Sequence, residues 1–178
     1  SRALRIATSD PRKLFKINKT IKNLDIEDRK SFSIVGKLKE TNFDFNTLAN
    51  PVVINSNEYT QDLCTPIYMF FKKNNKMELV INAYINQIKY FWQYGFADTV
   101  YNFTVNNGLD PKGSVALIDF NEITDSKDIV RLSIRERRWE KRFSYIFQLN
   151  KEQRQYFKNK MTEEITEENL NKFWRKSL

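Results

Sequence analysis

Histidine is missing altogether from this chain, cysteine occurs once, and glycine and proline occur four times each. Without histidine there is no imidazole to ligate zinc, to act as a general base or to complete a Ser-His-Asp triad, so those chemistries are excluded. Cys64 has no second cysteine with which to form a disulfide, and the first residues show no apolar stretch leading to a small-residue cleavage site. A reducing cytoplasm is therefore the expected compartment. No stretch reaches the roughly eighteen apolar residues of a membrane helix. The most apolar segment, Ile81 to Trp92, is interrupted by Asn82, Asn86, Gln87 and Lys89.

Aromatic residues are plentiful: fourteen Phe and eight Tyr help bring the aromatic share to 14%, within 40% hydrophobic residues. The negative mean hydropathy of −0.63 thus does not indicate disorder, because the aromatics supply a core. A chain of 178 residues buries about two-thirds of its unfolded surface, enough for one α+β domain without metals or disulfides. Thirty Lys plus Arg against twenty-two Asp plus Glu give a net charge of +8, which attracts phosphates, nucleic acid or an anionic membrane surface. Abundant Lys, Asn and Ile would equally follow from an AT-rich coding sequence.

Local patterns divide the chain into elements. Ser9-Asp10-Pro11 followed by Leu14, Ile17, Ile21 and Leu24 predicts a helix from about Pro11 to Asn23, with a basic opposite face that reads as its solvated side. Phe32, Ile34, Val35 and Leu38 predict a strand over Ser31 to Lys39, with Gly36 as a bulge. Val52 to Ile54 and Tyr59 to Cys64 predict two short strands separated by an Asn-Ser-Asn turn. Leu79, Ala83, Ile88 and Trp92 mark one stripe of a long central helix ending before Gly95. Phe103 to Val105 and Ser114 to Phe120 predict a hairpin whose loop is Asn106 to Gly113. The last third reads as helical. Asp125 or Ser126 caps a helix through Arg138, Asn150 with Gln153 makes a capping box, and Thr166 opens a final helix through Trp174.

One segment suggests specific chemistry. Asp119 closes the apolar run Val115-Ala116-Leu117-Ile118, where a carboxylate projects at a strand end and can hold a divalent cation. An aspartate there also serves simply to cap a turn. Leu117-Ile118-Asp119-Phe120 resembles the catalytic segment of the protein-kinase-like superfamily, including aminoglycoside phosphotransferases, with Asn121 in place of the usual glycine. The resemblance implies a kinase-like fold, a small antiparallel sheet at 1–65 followed by a mainly helical lobe at 66–178 that carries the catalytic-type hairpin. It implies Mg and ATP as cofactors, with Asp119 and Asn102 as metal and nucleotide ligands and Asp98 orienting the accepting hydroxyl. Asp98 and Asn102 stand four apart rather than the usual five, no His or Arg precedes Asp98, and the hairpin loop is longer than usual. No glycine-rich phosphate loop and no strand with an ATP-binding Lys can be placed before the first helix, so part of the small lobe is expected to be missing. The implied protein is a phosphotransferase or, with poor nucleotide clamping, a pseudokinase or scaffold.

A second constellation is basic and aromatic. Arg131, Arg135, Arg137, Arg138, Trp139, Lys141, Arg142, Phe143 and Tyr145 together offer phosphate contacts and base stacking. Arg135, Arg137, Arg138 and Lys141 are the candidate contacts to an anionic partner, a phosphorylated substrate or nucleic acid, and support a second reading as a non-enzymatic binding module. The simpler alternative buries Trp139 and pairs the arginines with Glu136 or Glu140. Asp44, Glu58, Asp62, Glu122 and Asp125 lack the spacing of a nuclease metal site, and Cys64, with no histidine to activate it, reads as a small apolar residue.

Overall fold

The computed structural model describes residues 29–55, 58–71, 77–120, 122–141 and 149–175; the helix expected at Pro11 to Asn23, and Arg142, Phe143 and Tyr145, lie outside them. Within these residues the protein is mixed α and β, with six helices and small antiparallel sheets.

The first described element corrects the expected strand: residues 29–38 form a helix, α1. Ser31, Ile34, Val35 and Leu38 are all buried, which is the spacing of one helix face, while Gly36 and Lys37 face out. The β-branched residues suggested a strand, but burial on one helical stripe overrides that local preference. A 3-10 turn at Phe45–Leu48 follows, capped by the Asp44 side chain, which accepts from Asn46 N at 3.1 Å. Strands β1 (Val52–Asn55) and β2 (Glu58–Thr60) then pair as an antiparallel hairpin with a bulge between Val53 and Asn55. Gln61 ties the next segment inward, its Nε2 donating to Leu48 O at 2.7 Å and to Leu117 O at 3.3 Å.

Strand β3 (Thr65–Pro66) runs into the short helix α2 (Ile67–Phe71). The long helix α3 (Met77–Gln93) buries Met77, Val80, Ile81, Tyr84, Ile85, Ile88, Phe91 and Trp92. The helix is as expected, but its inward face is rotated: Leu79 and Ala83 are exposed. Four strands follow: β4 (Ala97–Asp98), β5 (Asn107–Leu109), β6 (Val115–Leu117) and β7 (Ile123–Thr124). β5 is the middle strand of a β3-β5-β6 sheet, and β4 pairs with β7 in a separate ribbon. The expected hairpin is present, yet its first strand lies further along the chain: Phe103 to Val105 is a turn, and the strand is Asn107–Leu109.

Helix α4 (Lys127–Arg135) is capped by Ser126 and ends before a 3-10 turn at Arg138–Lys141, short of the expected end at Arg138. Helix α5 (Lys151–Glu164) opens on the Asn150–Gln153 capping box, and α6 (Glu167–Phe173) opens on Thr166. Two apolar clusters fill the interior. In one, α3 packs with α2, α5, α6 and the Tyr101 to Phe103 segment; in the other, α1 and the 3-10 turn pack on Phe91, Phe96, Leu117, Phe120 and Ile123. The second cluster supports the end of β6 from below, where Asp119 emerges. Among the described residues no helix is long and apolar enough to cross a membrane.

Candidate functional site

Two antiparallel pairings set the position of Asp119. The β5–β6 register, Asn107 opposite Leu117 and Leu109 opposite Val115, brings the chain before β5 alongside the chain after β6. Beyond the last pair, the Asn106 carbonyl accepts from Ile118 N at 2.8 Å and from Asp119 N at 3.2 Å. The β4–β7 ribbon then closes the loop on its other side, with Asp98 opposite Ile123. Asp119 is exposed between Ile118 and the fully buried Phe120, whose ring packs on Tyr59 at 4.6 Å between centroids. The apolar neighbour anchors the backbone and the carboxylate faces outward.

Asn102 joins this arrangement through Asn106. Its carbonyl accepts from Val105 N at 3.2 Å and Asn106 N at 2.9 Å, folding 102–106 into a tight turn. Its side-chain Nδ2 donates to Asn106 Oδ1 at 3.1 Å. Asn102 and Asp119 are thus brought to one place, with Asn106 bonded to both. Sequence reasoning left Asn106 unassigned because Asn106-Asn107-Gly108 has the composition of a hairpin turn. Its position just before a strand whose partner runs on to Asp119 two residues later is the signal that identifies it. Tyr101 precedes the turn in a left-handed conformation, φ 51°, held by its ring against Trp139 and by its hydroxyl within 3.1 Å of Ser133 Oγ.

Asp98 is placed differently. It is 8% exposed within β4, its Oδ1 accepts from Val100 N at 2.8 Å, and it lines an internal cavity with Tyr84, Gln87 and Asn107. Burial pushes the Tyr84 hydroxyl far above its ordinary pKa, and the neighbouring Asp98 charge adds to the shift.

A hard cation takes oxygen donors, and magnesium is commonly held by one or two carboxylates with water and phosphate oxygens completing its shell. The exposed Asp119 and the half-buried Asn102, linked through Asn106, both carry oxygen donors of that class. Among the described residues no three His, Cys, Asp or Glu side chains group into a metal cage. Asp44 instead caps its 3-10 turn, Asp62 accepts from Asn50 Nδ2 at 2.6 Å, and Asp125 pairs with Lys30 and Lys37. Cys64 has its thiol pKa raised by burial and then by Asp110 and Asp62, which keeps it protonated and a poor nucleophile.

Each described arginine of the basic cluster is paired with an acid. Arg131 and Arg135 both pair with Glu167, Arg138 Nε sits 2.8 Å from Glu136, and Arg137 pairs with Glu140, which also meets Lys158. Trp139 is buried at 2% exposure, so it cannot stack on a base. Lys141, at the end of the 3-10 turn, is exposed. No protein family, curated protein or solved structure matches this chain.

Proposed function

We propose that this chain is a kinase-like domain that binds a magnesium-nucleotide at Asp119 and functions as a pseudokinase. The observation that carries the reading is the exposed Asp119, two residues beyond β6, tied by its backbone to Asn106, which also receives the Asn102 side chain. A carboxylate and an amide near the end of an antiparallel hairpin would supply oxygen ligands to a divalent cation, which would neutralise nucleotide phosphate charge.

Bound magnesium would neutralise phosphate charge, and Asp119 and Asn102 are the residues that would hold it. The protein's own contribution is rigidity: Phe120 is buried beside Asp119, and the 102–106 turn is closed by its own backbone bonds. A non-catalytic role is favoured by Asp98. Orienting an acceptor hydroxyl requires hydrogen-bond reach to it, whereas Asp98 lies inside the protein with one oxygen engaged by Val100 N. An anionic partner at Arg135, Arg137, Arg138 and Lys141 would have to compete with Glu136, Glu140 and Glu167, so the nucleotide reading is preferred to the nucleic-acid module.

Thermal unfolding with ATP, with and without magnesium, tests the proposal, since a ligand of the native state raises the apparent Tm by mass action. The expected result is a magnesium-dependent rise that Asp119→Ala removes. Asp119 is exposed, so its removal leaves the core intact. An equal rise in Asp119→Ala, or none in the folded wild type, overturns the proposal.

A further inference from the structure

Between α3 and the β4–β5 strands lies a small cavity of about 10 Å³, lined by Tyr84, Gln87, Asp98 and Asn107 together with the apolar Ile88, Phe91, Ala97 and Leu117. Such a volume admits one water molecule and nothing larger. Three of the lining side chains are almost wholly buried, Tyr84 at 2%, Gln87 at 5% and Asn107 at 0% exposure. The Tyr84 hydroxyl, Gln87 Oε1 and both ends of the Asn107 carboxamide lack a hydrogen-bond partner within the protein. Leaving such groups unsatisfied costs about 1–3 kcal/mol each.

The orientation of Gln87 is fixed independently of the cavity. Its Nε2 donates to Thr47 O at 3.0 Å and to Val115 O at 3.3 Å, both obligate acceptors, so its Oε1 is the end left to accept. These same two bonds join α3 to the 3-10 turn and to β6, which makes the cavity wall a rigid part of the fold.

We infer that this cavity is a binding site for one internal water, which donates to Gln87 Oε1, accepts from the Tyr84 hydroxyl and meets the Asn107 carboxamide. Two to four polar partners are what an internal water requires. The site explains a polar residue at the start of a central strand, a position where Asn is otherwise disfavoured. It also links α3 to the residue after Asn106, so the water braces the chain that leads to Asp119 while standing apart from any nucleotide.

Oxygen-17 relaxation dispersion of the solvent tests the inference, because a water held inside the protein contributes a slow component. Comparing wild type with the Tyr84→Phe/Asn107→Leu double variant, which removes two of the three partners at nearly constant volume, the slow component should fall by the amplitude of a single water. Equal amplitudes would refute the site. Should the double variant fail to fold, water-to-protein cross-relaxation in the wild type decides: the Asn107 side-chain amide protons should show contact with a long-lived water, and its absence there refutes the site equally.

Discussion

Two glycines give opposite answers to the same substitution, and the difference follows from the fold. Gly36 lies on the exposed face of α1 with nothing within 4 Å of where a Cβ would sit. Alanine there loses less backbone entropy on folding and shades the helix backbone. Because Gly36 lies in the last turn of residues 29–38, the gain is at the lower end of the helix scale, about 0.5 kcal/mol. Gly108 sits in the middle strand β5, where an added Cβ would meet Cys64 Cβ at 2.8 Å, the Thr65 carbonyl at 3.1 Å and Ile118 Cγ2 at 3.4 Å. Neither the Thr65 carbonyl nor a Cβ can swing aside, so β3 must move away from β5, a cost of about 1–3 kcal/mol as for other overpacked sites. Urea unfolding of both variants reads the two effects as shifts of midpoint at unchanged slope. A destabilised Gly36→Ala would restore the strand-with-bulge reading of Ser31 to Lys39, and a neutral Gly108→Ala would contradict the close β3–β5 approach.

Three further outcomes follow from local bonds. Lys89→Met removes the hydrogen bond that chiefly lowers the Glu164 pKa. Because that pKa is depressed in the folded state, the stabilisation is present above the ordinary value of 4.5 and lost as pH falls through the lower folded value. The Tm gap between wild type and Lys89→Met should therefore narrow between about pH 6 and about pH 3, and a constant gap would assign the effect to packing instead. Asn150→Ala removes the cap of α5, whose side chain accepts from Gln153 N at 2.9 Å, and should cost about 1 kcal/mol by chemical denaturation; no change would remove the capping box from the account. Tyr101→Phe breaks the buried contact with Ser133, which keeps its own bond to Val130 O, so the expected loss is about 1 kcal/mol by the same assay. A loss several times larger would show that the hydroxyl holds the strained φ of Tyr101.

Much of the architecture is legible in the sequence where a single residue type has one structural meaning. Asn150 with Gln153 and Thr166 announce the starts of α5 and α6 because a side-chain oxygen there answers an otherwise unpaired helix N–H. Val-Val-Ile and Tyr59, all strand formers, announce β1 and β2. The misread segments are those where a buried polar residue breaks the apolar pattern. Ser31 completes the inner stripe of α1 but counts as polar, leaving Ile34 and Val35 to suggest a strand. Asn107 opens β5 with its side chain lining an internal cavity, so Asn-Asn-Gly has the composition of a loop and the pattern predicts the strand four residues early, at Phe103. In α3, apolar residues surround much of the helix, and the choice between Leu79 and Val80 as the inner position depends on tertiary neighbours.

The same limit governs the candidate site. Asp119 is conspicuous because it closes an apolar run, and Asn102 enters only through the kinase-like resemblance, but Asn106 acquires meaning only from the register that places its carbonyl against Asp119 N. Conversely, Arg137 and Arg138 meet Glu140 and Glu136, the nearby partners that the simpler reading names, whereas Glu167 meets Arg131 and Arg135 only after α6 packs near α4.

The most direct test of the proposed site is paramagnetic broadening by manganese-ATP, with manganese standing in for magnesium, followed on the backbone amides. Broadening should centre on Asn102, Asn106 and the 118–120 segment and be lost in Asp119→Ala. Broadening centred instead on the 131–141 arginines, or unchanged in Asp119→Ala, would contradict the proposed site.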